Sequence, residues 1–285
     1  MIPLKDNVPT TRFPILTVLL IVANIAVFAW QLSFSGDRAS NLELAKLGVT
    51  ERDQNTLEYG AIPYRLTHPG KQCALGTVSN GDGPRAEVVC QGTPEYEEAV
   101  QLGDQGVPFQ PLDSPPWWAT VLTSMFMHGG LLHIAFNMLF LWIFGNNVED
   151  SMGRGRFVLF YLVAGIAAAY AQALLDTNAT VPAIGASGAV AGVLGGYLLL
   201  YPHARVLTLV FIIFFVTLIE IPAVIMLGIW FVLQFLPAIG QLATPDVSTT
   251  GGGVAYFAHI GGFIFGLAAI KLFANRYRAR GPGYA

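Results

Sequence analysis

The chain has 285 residues, 54% hydrophobic and 12% charged, with a formal net charge of −3 and a mean hydropathy of +0.55. These values suit a polypeptide that crosses a bilayer several times and exclude an ordinary soluble domain. No basic stripe, phosphate-cradling loop or fixed-period repeat occurs, so nucleic-acid and nucleotide partners have no footing.

Residues 1–12 form a short N-terminal stub carrying Lys5 and Arg12. The apolar run 13–33 is long enough to cross a membrane. Its length and the lack of a small-x-small cleavage site favour a retained anchor over a signal peptide. Residues 34–116 follow as a long acidic loop, with Asp or Glu at 12 positions against six Lys or Arg. Within it Cys73 and Cys90, the only cysteines, bracket Ser79-Asn80-Gly81-Asp82-Gly83-Pro84, so a hairpin closed by a disulfide is expected. An oxidising exterior would permit that bridge, and the spacing fits neither a CxxC redox centre nor a zinc site.

Further apolar runs at about 131–146, 157–175, 187–201, 221–236 and 254–273 bring the expected spans to six. Lipid-exposed irregular backbone is not tolerated, so they should pack as helices. The expected fold is an all-α membrane protein: a six-transmembrane-helix bundle with a large extracytoplasmic first loop. The stretch 206–236 is divided by Pro222. Two crossings there would be short and would place His259 on the opposite side from Ser187. One crossing is expected, with 206–219 at the cytoplasmic interface or as a tilted extension and Glu220 a wetted boundary carboxylate.

Lys5 and Arg12, Arg154 and Arg156, Arg205, and Lys271, Arg276, Arg278 and Arg280 all fall on one side of a six-span chain. The opposite short loops, 176–186 and 237–253, hold Asp176 and Asp246 but no Lys or Arg. Both termini, including the basic tail 274–285, are therefore expected in the cytoplasm, and a long loop such as 34–116 crosses regardless of its charge.

Polar residues inside such runs are costly and point to function. Ser187, in Gly185-Ala186-Ser187-Gly188, opens the fourth span, and His259, in Ala258-His259-Ile260-Gly261-Gly262, lies just inside the sixth. His133 and Asn137, four apart on one helical face, lie just inside the second. All fall in the exterior half of the membrane. Gly188, Gly192 and Gly196, and Gly262 and Gly266, form small-residue faces that let two helices approach closely. The serine could equally be a packing residue bonded to a carbonyl, and the histidine polar glue or part of a proton path. Taken together, the residues suit acyl transfer: Ser187 as nucleophile, His259 as its base, and the Ser187 amide, Asn137 and His133 as oxyanion donors. With no acid at this depth, a dyad is expected. His128 and His133, five apart, are poorly spaced for a metal on a helix, and no cofactor is implied.

These motifs resemble those of the rhomboid intramembrane serine proteases: His128-x4-His133-x3-Asn137, Gly185-x-Ser187-Gly188 and Ala258-His259-x2-Gly262-x3-Gly266, in the family's order. The resemblance covers about 117–273, the expected catalytic core, plus the first span. It implies a water-filled cavity in which Ser187 and His259 cleave transmembrane segments of protein substrates, with His133 and Asn137 lining the oxyanion hole. A bacterial inner membrane is the expected location. Two positions depart from the pattern. Trp118-Ala119 stands where many rhomboids have Trp-Arg, and Ala191 where many have an aromatic stacked on the histidine; a looser His259, or one packed by an aromatic from elsewhere, is expected. The rival readings are a rhomboid-like protein that captures helices without cutting them, against which the intact Ser187 and His259 argue, and a transporter with His133 and His259 along its path, which would need further intramembrane acids.

Overall fold

The computed structural model describes residues 1–37, 46–80, 83–212, 215–243 and 254–275. Asp246, the distal part of the 237–253 loop, the Gly81-Asp82 turn and the basic residues Arg276, Arg278 and Arg280 lie outside them. Among the described residues four helices are long and apolar enough to cross a membrane. The first is α1 (Ile15–Ser33). The second joins α6 (Leu131–Phe140), one wide π turn (Leu141–Gly145) and α7 (Asn146–Met152) into a continuous run. The third is α8 (Arg154–Leu175) and the fourth α11 (Tyr256–Phe273). Two further helices contribute shorter apolar stretches: α9 (Ser187–Leu200), and Ala223–Ile239 within α10 (Ala223–Ala243), which has Pro237 inside it. The chain is an integral membrane protein of packed helices.

The core lies where α9 runs between α8 and α11. A Cβ on Gly266 would stand 1.9 Å from the Gly192 carbonyl oxygen, and one on Gly262 would stand 2.1 Å from that of Gly188. Gly195 meets the Phe263 carbonyl at 2.1 Å in the same sense. The two backbones therefore touch along three helical steps, and only glycine permits it. In hydrocarbon such contact gains dispersion energy that lipid chains cannot match. Across the α8 seam, Ala164 and Ala168 press on Gly192 and Gly188.

One end of the bundle gathers the N-terminal segment, the α7–α8 turn and the end of α11. Glu149 caps α1, accepting the backbone N–H groups of Leu16 (3.1 Å) and Thr17 (2.8 Å) and the Thr17 hydroxyl (2.8 Å). Three of the orphan donors and hydroxyls of a helix start are thus satisfied by one buried carboxylate. Thr11 donates to Asp150, and the Asn275 N–H donates to the Ser151 carbonyl. Asp6 is buried here and accepts from Asn147 Nδ2 and the Tyr197 hydroxyl, each at 2.6 Å.

The all-α expectation is corrected by two three-stranded sheets. At this same end, β1 (Ile2–Asp6) pairs antiparallel with β5 (Arg205–Ile212), which pairs with β6 (Phe215–Pro222). The stretch 206–219, expected at the cytoplasmic interface or as a tilted extension of the next span, forms the paired strands of a hairpin and does not extend that helix. Its Val, Ile, Thr and Phe content favours a pleated surface, and β1 supplies the partner that a lone hairpin lacks. Arg205 and Glu220 form an exposed ion pair at its base (3.7 Å).

The second sheet lies at the opposite end, in the segment before α5 (Trp117–Ser124). There α2 (Glu51–Tyr59), α3 (Pro63–Thr67) and α4 (Pro94–Asp104) accompany a sheet in the order β3 (Gly83–Cys90), β2 (Cys73–Asn80), β4 (Phe109–Pro111). Cys73 and Cys90, paired in register, are joined by a disulfide. This unit is tied to the strap before α9: Ala61 and Ala183 exchange both backbone hydrogen bonds, and Tyr64 N–H donates to the Ala179 carbonyl. Arg65, buried, donates to the Pro115 carbonyl at 2.8 Å. An arginine thus holds the entry to Trp117-Trp118 although residue 119 is alanine.

Candidate active site

Ser187 is the first residue of α9. Its preceding Ala186 offers no side-chain cap, so the N–H groups of the first turn remain unsatisfied by any cap side chain. Such a helix start favours a developing negative charge. Gly185 sets the approach. Its φ of 126° lies where side-chain-bearing residues are strained, and its N–H donates to the Ser124 carbonyl (2.9 Å). A Cβ there would stand 2.7 Å from His133 Nε2 and 3.5 Å from Ser187 Oγ. Glycine therefore serves the turn and also leaves room for the imidazole beside the serine.

His133 Nδ1 accepts the Gly129 N–H at 3.4 Å, which leaves Nε2, the nitrogen beside Gly185, to carry the ring proton. The ring also meets His128 edge-on, with centroids 5.0 Å apart. His128 itself is buried, and its N–H donates to Gln31 Oε1 of α1 (2.9 Å), so it braces the turn ahead of α6. Asn137 is buried one turn on from His133 and donates to the His133 carbonyl (3.0 Å).

His259 is buried in the first turn of α11. Gln172 of α8 accepts the N–H of Ala258 (3.3 Å), tying down that helix start. His259 Nδ1 lies 2.8 Å from Gln234 Oε1 of α10. An amide oxygen only accepts, so Nδ1 carries the proton and Nε2 keeps a free lone pair. The rings of Trp230 (centroids 6.0 Å, tilted 36°) and Tyr256 (6.5 Å, edge-on) pack beside it. Trp230 and Gln234 are one helical turn apart, so one face of α10 gives His259 both an aromatic neighbour and a hydrogen bond.

The structure thus sets His133 beside Ser187, bonds Asn137 to His133, and puts His259 on the helix whose backbone touches α9 at Gly188 and Gly262. Gln234 and Trp230 escaped the sequence reading. Their only signal there is an aromatic and an amide four apart in an otherwise apolar run. Among the described residues no cluster of three or more His, Cys, Asp or Glu could hold a metal.

Comparison with known proteins identifies the family. The family model described as Rhomboid domain matches residues 115–276, more than half of the chain. Over 82 residues the chain is 45% identical to Rhomboid protease GluP of Bacillus subtilis, covering 29% of this chain and 15% of that protein. It is 31% identical over 152 residues to Rhomboid protein 1, mitochondrial, of Saccharomyces cerevisiae, covering 52% and 40%. It is also 31% identical over 105 residues to Rhomboid protease GlpG of Salmonella typhi, covering 34% and 38%. The chain spans well under half the length of each of these relatives. With the matched region enclosing every residue of the site, from His128 to Gly266, the chain belongs to the rhomboid family.

Proposed function

We propose that this protein is an intramembrane serine endopeptidase that cleaves transmembrane segments of other membrane proteins. The observation that carries the reading is the meeting of α9 and α11 at glycine backbones one residue after Ser187 and three after His259. Ser187 Oγ attacks the scissile carbonyl while His259 Nε2 takes its proton and then delivers it to the leaving amine. Water, activated in the same way, hydrolyses the acyl-enzyme and restores the serine. The first-turn amides of α9, with His133 Nε2–H and Asn137 as candidates beside them, stabilise the oxyanion. Gln234 accepts from Nδ1 throughout, fixing the tautomer of a Ser-His dyad that has no carboxylate partner.

In the same reading α9 and α10 also cross, giving six spans with both termini in the cytoplasm. Support comes from the N-terminal segment and Asn275 lying at one end of the bundle. Residues 34–116 then form an extracytoplasmic loop, 117–273 the catalytic core and 274–285 a cytoplasmic tail. A bacterial inner membrane is the proposed location.

The test is cleavage of a transmembrane reporter and labelling by a fluorophosphonate probe in liposomes. Ser187→Ala and His259→Ala should each abolish cleavage, by up to ~10⁶-fold, with folding retained. Asn137→Ala should lower kcat about a hundred- to thousandfold with little change in KM. Wild-type protein that binds the reporter without cutting it would identify a helix-capturing relative instead.

A further inference from the structure

The β5–β6 hairpin has a polar base and an apolar tip. At the base stand the Arg205–Glu220 pair and the Asn7 side chain, which accepts the Arg205 N–H at 2.8 Å. From 206 to 219 the only polar side chains are Thr208 and Thr217. Thr208 is fully buried and turned inward, its hydroxyl on the Val206 carbonyl (3.0 Å). Toward the tip, Phe211, Phe215, Val216, Leu218 and Ile219 are exposed, Phe215 by 76%. The register puts Phe211, Val216 and Leu218 on one face and Phe215 and Ile219 on the other. Both faces of the tip are therefore apolar and uncovered.

We infer that this hairpin is a membrane-interface anchor, lying along the bundle's N-terminal-side surface with its tip in the headgroup–acyl boundary of that leaflet. Three observations select lipid as the occupant. The hairpin runs without a break into α10, whose first-turn residues Val224 and Ile225 are 46% and 51% exposed, so the uncovered apolar surface of the tip continues onto a helix of the bundle. The strand leans along that helix, not away from it: Thr208 Oγ1 reaches Met226 Sδ (3.8 Å), a full turn inside α10. A docked protein face would cover one side of the tip, whereas lipid covers both.

The sheet also limits the depth. β6 is an edge strand, with one neighbour, so its outer N–H and C=O groups need water. An open edge is not stable in the hydrocarbon core. The side chains can enter the acyl region only while the edge stays at headgroup level, the placement an interfacial amphipathic element adopts.

The test uses single-cysteine variants, since Cys73 and Cys90 are disulfide-bonded and no free thiol exists among the described residues. Val216→Cys and Phe215→Cys, one on each face, carry an environment-sensitive fluorophore in the full chain reconstituted into phosphatidylcholine–phosphatidylglycerol vesicles. Glu95→Cys, exposed on α4, is the aqueous control. Doxyl-labelled lipid should quench both tip labels at least threefold more than the control, while iodide quenches only the control well. Iodide quenching of either tip label as strong as at Glu95 overturns the anchor. Lipid quenching on one face alone, or protection from both quenchers with cross-linking between copies, overturns it in favour of a protein partner or a second copy.

Discussion

Gln234 Oε1 stands 2.8 Å from His259 Nδ1, so the buried imidazole of α11 is oriented by a neutral amide from α10. A carboxylate there would pull harder on the proton but would be costly in hydrocarbon. Gln234→Leu leaves a buried N–H unpaired just as the ring becomes an imidazolium. A hydrogen bond to a charged group contributes roughly 1.5–3 kcal/mol, so kcat should fall about ten- to a hundredfold while KM holds. Gln234→Asn keeps the amide on a shorter side chain that falls short of Nδ1, and should likewise lower kcat. If both variants change KM alone, Gln234 packs against the histidine without positioning it.

The residues of the candidate site stood out in the sequence because each breaks an apolar run: Ser187, His259 and the His133/Asn137 pair are polar where hydrocarbon is expected. The glycine spacing likewise pointed to the α9–α11 contact seen at Gly192 and Gly266. Gln234 was passed over because an amide in a span has an equally good destination on its own helix, and its partner lies 25 residues away. The hairpin was hidden for two reasons. Both its faces are apolar toward the tip, which erases the alternation that marks a half-buried strand. Its stabilising neighbour β1 also lies about 200 residues earlier, as in Ile2 opposite Leu209, and local patterning carries no trace of such a pairing.

Gly266→Ala should separate the helices. The new methyl would lie 1.9 Å from the Gly192 carbonyl oxygen, a backbone atom that cannot rotate aside. Overpacking of this kind costs on the order of 1–3 kcal/mol or more. The expected result is a lower midpoint of thermal unfolding in detergent and weaker fluorophosphonate labelling of Ser187. Gly228→Ala, on α10 with nothing within 4 Å of the added carbon, is the matched control and should unfold like wild type. Equal midpoints for the two variants would mean that α9 and α11 are not held in backbone contact.

Asp6 gives the terminal end of the bundle a pH dependence. Burial raises its carboxyl from an ordinary value of 3.8 to about 6, against the opposing hydrogen bond from Tyr197. The folded state therefore holds this proton more tightly than the unfolded chain. The stability it confers is complete below about 3.8 and is lost as the pH rises through about 6. A shift of about two pK units corresponds to at most on the order of 3 kcal/mol. Asp6→Asn, which keeps an oxygen facing Asn147 and Tyr197, should flatten this part of the stability profile between about pH 4 and 6. Parallel profiles for variant and wild type, from chemical denaturation in detergent, would remove Asp6 as the source.

The disulfide unit and the site are joined by hydrogen bonds to the strap before α9, the nearest to Ser187 being the Ala61–Ala183 pairing. Cys73 and Cys90 pack against Ile62 and Tyr64, and neighbouring Ala61 pairs with Ala183, four residues before Ser187. Closing a loop of about this length stabilises a fold by roughly 3 kcal/mol in the chain-entropy model. Protein isolated without reductant should resist alkylation at both cysteines, and reduction should open 68–93 to protease. Ser187 and His259 rest on bundle helices, so cleavage of a small soluble ester should survive reduction nearly unchanged. If fluorophosphonate labelling of Ser187 is lost on reduction, the Ala61–Ala183 pairing carries the integrity of the sheet to the nucleophile. Quantitative alkylation of both cysteines in unreduced protein would refute the bridge itself.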